Sequence, residues 1–441
     1  ELNSLQLIRL GLSDFDERMN KFDEEHAKMD IMDHSGNITQ NPSEINKSFR
    51  LYYSKLYSTD QNESLDETES FLSGVSLPQV SPMQSEQLEK LLSIQELTKV
   101  RNRMPNNKSP VPDGFPAEFY RQFWSLLSPI FFNSICEIYE TGKIPQHMNT
   151  AYISLIPKPN KDPTQCPNYC PISLIHVDLK IISKTLAGRL ESVMSTLIHP
   201  DQMGFIKGRH SSENTRRLIN IVDFYNNFCN TNKPPFIIVS LDAEKAFDKV
   251  EWPFLFTTLS QFGFKSYIIN WIKTLYNTPT ASVITNAAIR QSHNISGIQS
   301  KHYHHKISLL ISDFSKASGY SVNCSKAEIL PITKLKWDAE LESYPFKRTT
   351  KIIKYLGIHI SSNLKYLFKL NHAPLLQDIQ NNLERWNNLP LSLIGRISSV
   401  KMNILPKINY LFSMIPVTPP PGWFSSLDSI MTKYYWKKRK G

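Results

Sequence analysis

Phe236-Ile237-Ile238-Val239-Ser240-Leu241 is an apolar, partly β-branched run that ends directly in a carboxylate, Asp242. Such a run predicts a buried strand, so the chain must supply a sheet and something to cover it. The residues after it, Asp242-Ala243-Glu244-Lys245-Ala246-Phe247-Asp248, predict a turn into a helix that carries Asp248. A carboxylate at a strand end is rigidly placed and can face a cleft, which is what a magnesium ligand for phosphoryl transfer requires. Strand-end aspartates equally cap the helix that follows. Taken alone, the segment leaves both readings open.

The rest of the chain alternates helical and loop signals. Leu5, Ile8, Leu12 and Phe15 stand at helical spacing in a charged segment over 1–35, and a second helix is expected near Ile45–Leu56. Residues 58–83 are rich in Ser, Glu, Asp and Pro and read as a linker. Helices are expected over Glu86–Asn102 and Ala117–Ile138, separated by a loop that Pro110, Pro112 and Asp113-Gly114 enforce. Tyr152–Ile156 predicts a short strand. Ile182, Leu186, Leu190, Val193 and Leu197 make one apolar helix face, with Lys180, Lys184 and Arg189 elsewhere on it. Further helices are expected over Pro253–Phe262, Ser266–Tyr276 and most of Ala373–Leu411, with breaks at Pro390 and Pro406. In Leu309–Lys316 a helix should turn Leu310, Ile311 and Phe314 inward and Asp313 to solvent.

Charge narrows the partners. The 441 residues carry a net +10, but residues 1–100 hold 18 acids and 9 bases, so the remaining 341 carry +19. A basic body suits a polyanion such as nucleic acid. The bland alternative is an ordinary basic surface. The five cysteines are odd in number and spread out, which argues for a reducing, intracellular compartment, nucleus or cytoplasm. Cys166 and Cys170 lack the second pair that a tetrahedral zinc site needs, and His302-Tyr303-His304-His305 reads as a solvated loop. The chain opens on Glu1, as a fragment would, without a basic segment leading into an apolar run. No apolar stretch approaches the roughly 20 residues of a membrane span.

Ser240–Trp252 resembles motif A of LINE-type (non-LTR retrotransposon) reverse transcriptases almost residue for residue. Other ordered words extend the resemblance from Gly36 onward. They are Gly36-Asn37-Ile38-Thr39 through Tyr57, Lys108–Tyr120, Leu155-Ile156-Pro157-Lys158-Pro159, Pro171-Ile172-Ser173-Leu174, His199–Arg209, Lys354–Ile358, and Trp386 through Leu405. The resemblance implies an α+β, right-hand polymerase-like fold with helix-rich fingers and thumb and a truncated palm sheet. Its divisions would be 1–83 (N-terminal helical segment and linker), 84–286 (fingers and first part of the palm), 287–345 (residual palm) and 346–441 (post-palm and thumb). It implies RNA and DNA as template and primer, and magnesium as cofactor. Asp242 would hold the metal, helped by the carbonyl of Ala243. Phe247 would wall the sugar pocket, Lys158 would touch the incoming triphosphate, and Lys207 and Arg209 would lie near the template. The family's endonuclease has no counterpart, so DNA nicking is not expected.

The departures from the family are severe. Its palm carries Tyr-Ala-Asp-Asp or a close variant on a hairpin facing motif A, yet this chain has no Asp-Asp dipeptide. The family's "RQGCPLSP" is absent too. Family-like words meet abruptly near Asn286/Ala287 and Leu309/Leu310, as two internal deletions or skipped exons would leave them. Ala287–Leu309 contains no acid to rebuild the hairpin. Cys170 stands where the family has arginine, and Val111 where it has glycine. A lone aspartate cannot hold two metal ions about 3.5–4 Å apart. The expectation is therefore a degenerate, inactive reverse transcriptase with Asp242 as an orphan ligand and magnesium not productively bound. A non-catalytic RNA- or DNA-binding remnant and a mis-spliced form of an active element are the alternatives. The strand Phe236–Leu241 should lack its family partner, leaving an edge or a new pairing.

Overall fold

A computed structural model describes residues 29–33, 35–57, 65–108, 113–228, 236–244, 247–285, 288–289, 293–294, 313–332, 346–349 and 351–436. The expected helix around Leu5–Phe15, Val111, both junctions, the His302–His305 cluster, and Leu310 and Ile311 lie outside them. Helix and sheet are mixed, and the chain divides into two compact units. One comprises 1–198 with 244–321, the other 199–243 with 322–441.

In the first unit, Thr150–Pro157 is the central strand. It runs antiparallel to Tyr169–Leu174, with Ile156 opposite Cys170, and parallel to Thr280–Thr285. Ile153 and Leu155 are buried from it against Phe49 and Tyr53 of the helix Pro42–Leu56. A larger helical core surrounds Leu97, Ile181, Ile182, Ile268 and Trp271, all at most 1% exposed. Burying such side chains is worth about 1.5–3 kcal/mol each.

Several expectations need correction here. The expected helix Glu86–Asn102 is two helices, Pro82–Leu88 and Ile94–Arg103. Ser81 with Gln84, and Ser93 with Glu96, form capping boxes that start each one, so the chain turns between them. Ala117–Ile138 is likewise split at Phe123 into Ala117–Gln122 and Trp124–Thr141. The 58–83 linker contains the helix Leu65–Ser73, whose Phe71 packs on Phe314. Asp248 sits in a turn, and the next helix begins only at Trp252. Arg189, placed off the apolar face of its helix Val177–Leu197, has a side chain only 10% exposed. Asp313 is exposed on the helical residues 313–318, and Phe314 packs against Phe71, Phe254 and Tyr320, as expected.

In the second unit, Ile237–Ser240 is the outer strand of a three-stranded sheet. It pairs antiparallel with Glu328–Pro331, which pairs in parallel with Lys347–Arg348. The hairpin Ile352–Tyr355/Ile358–Ser361 turns at Leu356-Gly357, both at positive φ (47° and 76°). A two-residue hairpin prefers that twist, which a leucine adopts only at a cost. The Tyr410 hydroxyl donates to the Leu356 carbonyl and holds the turn. Four helices follow: Leu367–Trp386, Leu393–Asn403, Leu405–Met414 and Pro421–Tyr435. The first three break around Pro390 and before Pro406, where the prolines predict. Pro421–Tyr435 was not anticipated. Among the described residues, no helix is long and apolar enough to cross a membrane.

Candidate functional site

The strand Ile237–Ser240 carries the chain to Asp242. Its ladder puts Ile237 opposite Pro331, Ile238 opposite Leu330, Val239 opposite Ile329 and Ser240 opposite Glu328. Leu330 and Ile329 are buried, but every residue from Ile237 to Ser240 is only half-buried and Leu241 is 44% exposed. That corrects the buried strand read from the sequence. Among the described residues the apolar run has a partner strand on one side, while beside it lies a cavity of about 350 Å³. Ile238, Val239, Ser240 and Leu241 line that cavity together with Leu218 and Ile221 of the helix Ser211–Phe228.

Two bonds hold Asp242 from within its own unit. Its carbonyl accepts the Asn323 N–H at 2.7 Å, and its Oδ2 lies 3.2 Å from the Lys326 ammonium. The carboxylate side chain is 47% exposed. Asp201 also borders the cavity beside the strand, and its carboxylate is bound by the Arg217 guanidinium. That hydrogen bond holds the Asp201 carboxyl below the usual carboxylate range. Among the described residues, no three His, Cys, Asp or Glu side chains converge as metal ligands. A pair of divalent ions needs carboxylates on both sides, whereas here the one strand-end carboxylate faces an ammonium. The side chains described do not fit the family's two-metal arrangement.

The other sequence candidates are placed as follows. Ala243 adjoins Asp242 and is half-buried, and Phe247 is 80% exposed. Lys158, in the first unit, donates from Nζ to the Pro167 carbonyl at 2.8 Å and from its backbone N–H to the Asn168 carbonyl at 2.8 Å. Lys207 is exposed in the loop after His199, in the second unit. Arg209 folds that loop onto itself, donating to the carbonyls of His199 (2.6 Å) and Gln202 (2.9 Å). Within the second unit the structure thus joins Asp242 and Ala243 in one segment, and Lys207 and Arg209 in another.

Lys326 was missed, because nothing local in Cys324-Ser325-Lys326 marks it; only the ladder register does. A buried cluster in the first unit was missed as well. Asp113 Oδ2 lies 2.6 Å from His176 Nδ1, and Tyr120 donates to Asp178. Burial pushes the Tyr120 hydroxyl far up its range and draws the half-buried Lys180 ammonium down. These contacts fasten the Asp113-Gly114 turn to the first turn of the helix Val177–Leu197. Cys166 is buried, and burial pushes its thiol up to about 11, which suits packing rather than thiolate chemistry.

Residues 156–298 match the family model described as "Reverse transcriptase (RNA-dependent DNA polymerase)". The chain is also similar to the "Transposon TX1 uncharacterized 149 kDa protein" of Xenopus laevis, at 26% identity over 454 aligned positions. That alignment covers 91% of this chain and 34% of the relative, so the chain spans about a third of the relative's length.

Proposed function

We propose that this chain, which carries a LINE-type retrotransposon reverse transcriptase domain, is a degenerate copy that keeps a right-hand polymerase scaffold and has lost DNA synthesis. One observation carries the reading. The motif A strand has a sequence suited to burial, yet it is an outer strand, half-buried along its whole length, with a cavity beside it. A palm that kept its catalytic hairpin would be expected to fill such a gap. The chain has no Asp-Asp dipeptide to offer there. Phosphoryl transfer by this family is nearly all positioning and electrostatics around the metals. Losing half of their ligands removes essentially all of it. The junctions near Asn286/Ala287 and Leu309/Leu310 account for the loss as two internal deletions. Sequencing the genomic segment across them separates a deleted copy from a mis-spliced active element.

The direct test is primer extension by the purified chain on an RNA template with a DNA primer, nucleotides and magnesium or manganese. The expected yield is background. Template-dependent extension that Asp242→Ala abolishes would overturn the reading.

The family implies RNA and DNA binding, and the +19 balance beyond residue 100 favours its survival without catalysis. The expected binding is weak, indifferent to sequence and independent of divalent metal. With about five phosphate contacts, log K falls against log salt with a slope of about −4 to −5, through release of counterions. A filter-binding series from low to physiological salt checks this. A flat series, or no binding at low salt, sinks the binding reading and leaves a merely basic surface.

A further inference from the structure

Asp242 and Lys326 meet through the register of the sheet. Ser240 pairs with Glu328, so the same antiparallel register carried two residues further sets Asp242 opposite Lys326. The turn that brings Lys326 there is fastened to Asp242 itself. The Asn323 N–H donates to the Asp242 carbonyl, and the Asn323 carbonyl accepts the N–H groups of Lys326 (3.0 Å) and Ala327 (2.9 Å). The ammonium then closes on Oδ2 at 3.2 Å. One strand, one turn and one side chain therefore place a positive charge where a cation would approach this carboxylate.

We propose that the Lys326 ammonium is the resident cation of Asp242, and that it sets the poor divalent-metal affinity of this strand end. The inference rests on reading Asp242 as a metal-ligand position that has lost the family's facing carboxylates, and it adds what occupies that carboxylate instead. The two side chains are 68% and 47% exposed, so the pair contributes little to stability and its removal leaves the fold intact. Its effect on a divalent ion is larger, because such an ion meets a like charge within a few ångströms and must displace a carboxylate partner. In a solvent-exposed setting that repulsion amounts to roughly a tenfold loss of affinity.

Manganese titration of the full chain, followed by the electron paramagnetic resonance of free Mn²⁺, reads this without any assay of activity. Wild type and Lys326→Arg, which keeps the charge, are expected to bind alike and weakly. Lys326→Gln is expected to tighten one site about tenfold. Adding Asp242→Asn to Lys326→Gln is expected to abolish that gain, with circular dichroism unchanged throughout. Wild-type binding as tight as that of Lys326→Gln would overturn the proposal, as would a gained site that survives Asp242→Asn. Primer extension by wild type would instead overturn the loss of synthesis, while an Mn²⁺ gain in Lys326→Gln would still stand. The two failures are therefore distinguishable.

Discussion

Replacing Arg189 with methionine is expected to destabilise the full chain by about 1–3 kcal/mol, the cost of leaving acceptors without the buried donor that served them, since the ion-pair partner Glu96 is itself 36% exposed. Arg189 is one side chain serving four segments. Its Nε and Nη2 bind the two oxygens of Glu96 at 2.9 and 2.8 Å, a bidentate geometry that lysine cannot reproduce. Its remaining N–H groups reach the carbonyls of Leu88 (3.3 Å), Lys90 and Leu91 (2.9 Å), which end the helix Pro82–Leu88 and form the turn beyond it. The guanidinium also lies 5.9 Å from the Tyr267 ring centroid. Methionine fills the volume but leaves those carbonyls and a capping carboxylate without their donor.

The Glu96 partner sharpens this prediction. Its carboxyl is held below the usual carboxylate range, first by the Arg189 hydrogen bond. A carboxyl depressed in the folded state contributes stability above its unfolded pKa and loses it as pH falls through the folded value. Arg189→Met should therefore cost less in strongly acidic buffer than at neutral pH. Denaturant melts followed by tryptophan fluorescence give the size of the loss. Hydrogen exchange should show protection lost first in Pro82–Leu88 and Ile94–Arg103. A loss below about 1 kcal/mol, within the range of exposed pairs, would show that the network is a surface ornament.

Arg189 also shows what the sequence hid. Helical spacing located the helix Val177–Leu197 and its apolar face, because 3.6-residue periodicity is a local property. It could not tell that an arginine off that face enters the core, since the groups it satisfies lie roughly a hundred residues upstream. The same limit applies to the strand Ile237–Ser240. Its apolar run and terminal carboxylate were legible, but its neighbour Glu328–Pro331 lies some ninety residues further on. Lys326 becomes visible only once that pairing exists. The helix break between Leu88 and Ile94 was legible in principle, since Ser93 and Glu96 have capping-box spacing. Family words fared best, because Leu155–Pro159, Pro171–Leu174 and Ser240–Trp252 keep their order and residue types.

Replacing His372 with phenylalanine is expected to raise stability by about 1–3 kcal/mol at mildly acid pH, a gain that shrinks as pH rises. His372 lies on the helix Leu367–Trp386, is 0% exposed, and among the described residues has no hydrogen-bond partner at either ring nitrogen. Its ring is stacked on Phe368 at 5.7 Å and meets Phe412 and Trp423 edge-on at 5.6 and 6.2 Å. A buried donor or acceptor without a partner keeps its desolvation cost, and an aromatic ring of similar shape does not. The surrounding burial also draws the imidazole pKa below its ordinary 6.5. The unfolded chain therefore binds the proton more readily than the folded one. Stability from this group is complete above the unfolded value and is lost as pH falls through it, levelling off only below the folded value. The slope in that window is at most about 1.4 kcal/mol per pH unit for one proton. Other groups titrate in the same window, so the informative quantity is the difference between wild type and His372→Phe. Denaturant melts of both proteins at pH 7.5 and pH 5.5 measure it. The two curves should diverge as the buffer is acidified, with the variant the more stable. Parallel curves would mean that His372 finds a proton partner in the folded chain and is not buried as a neutral ring.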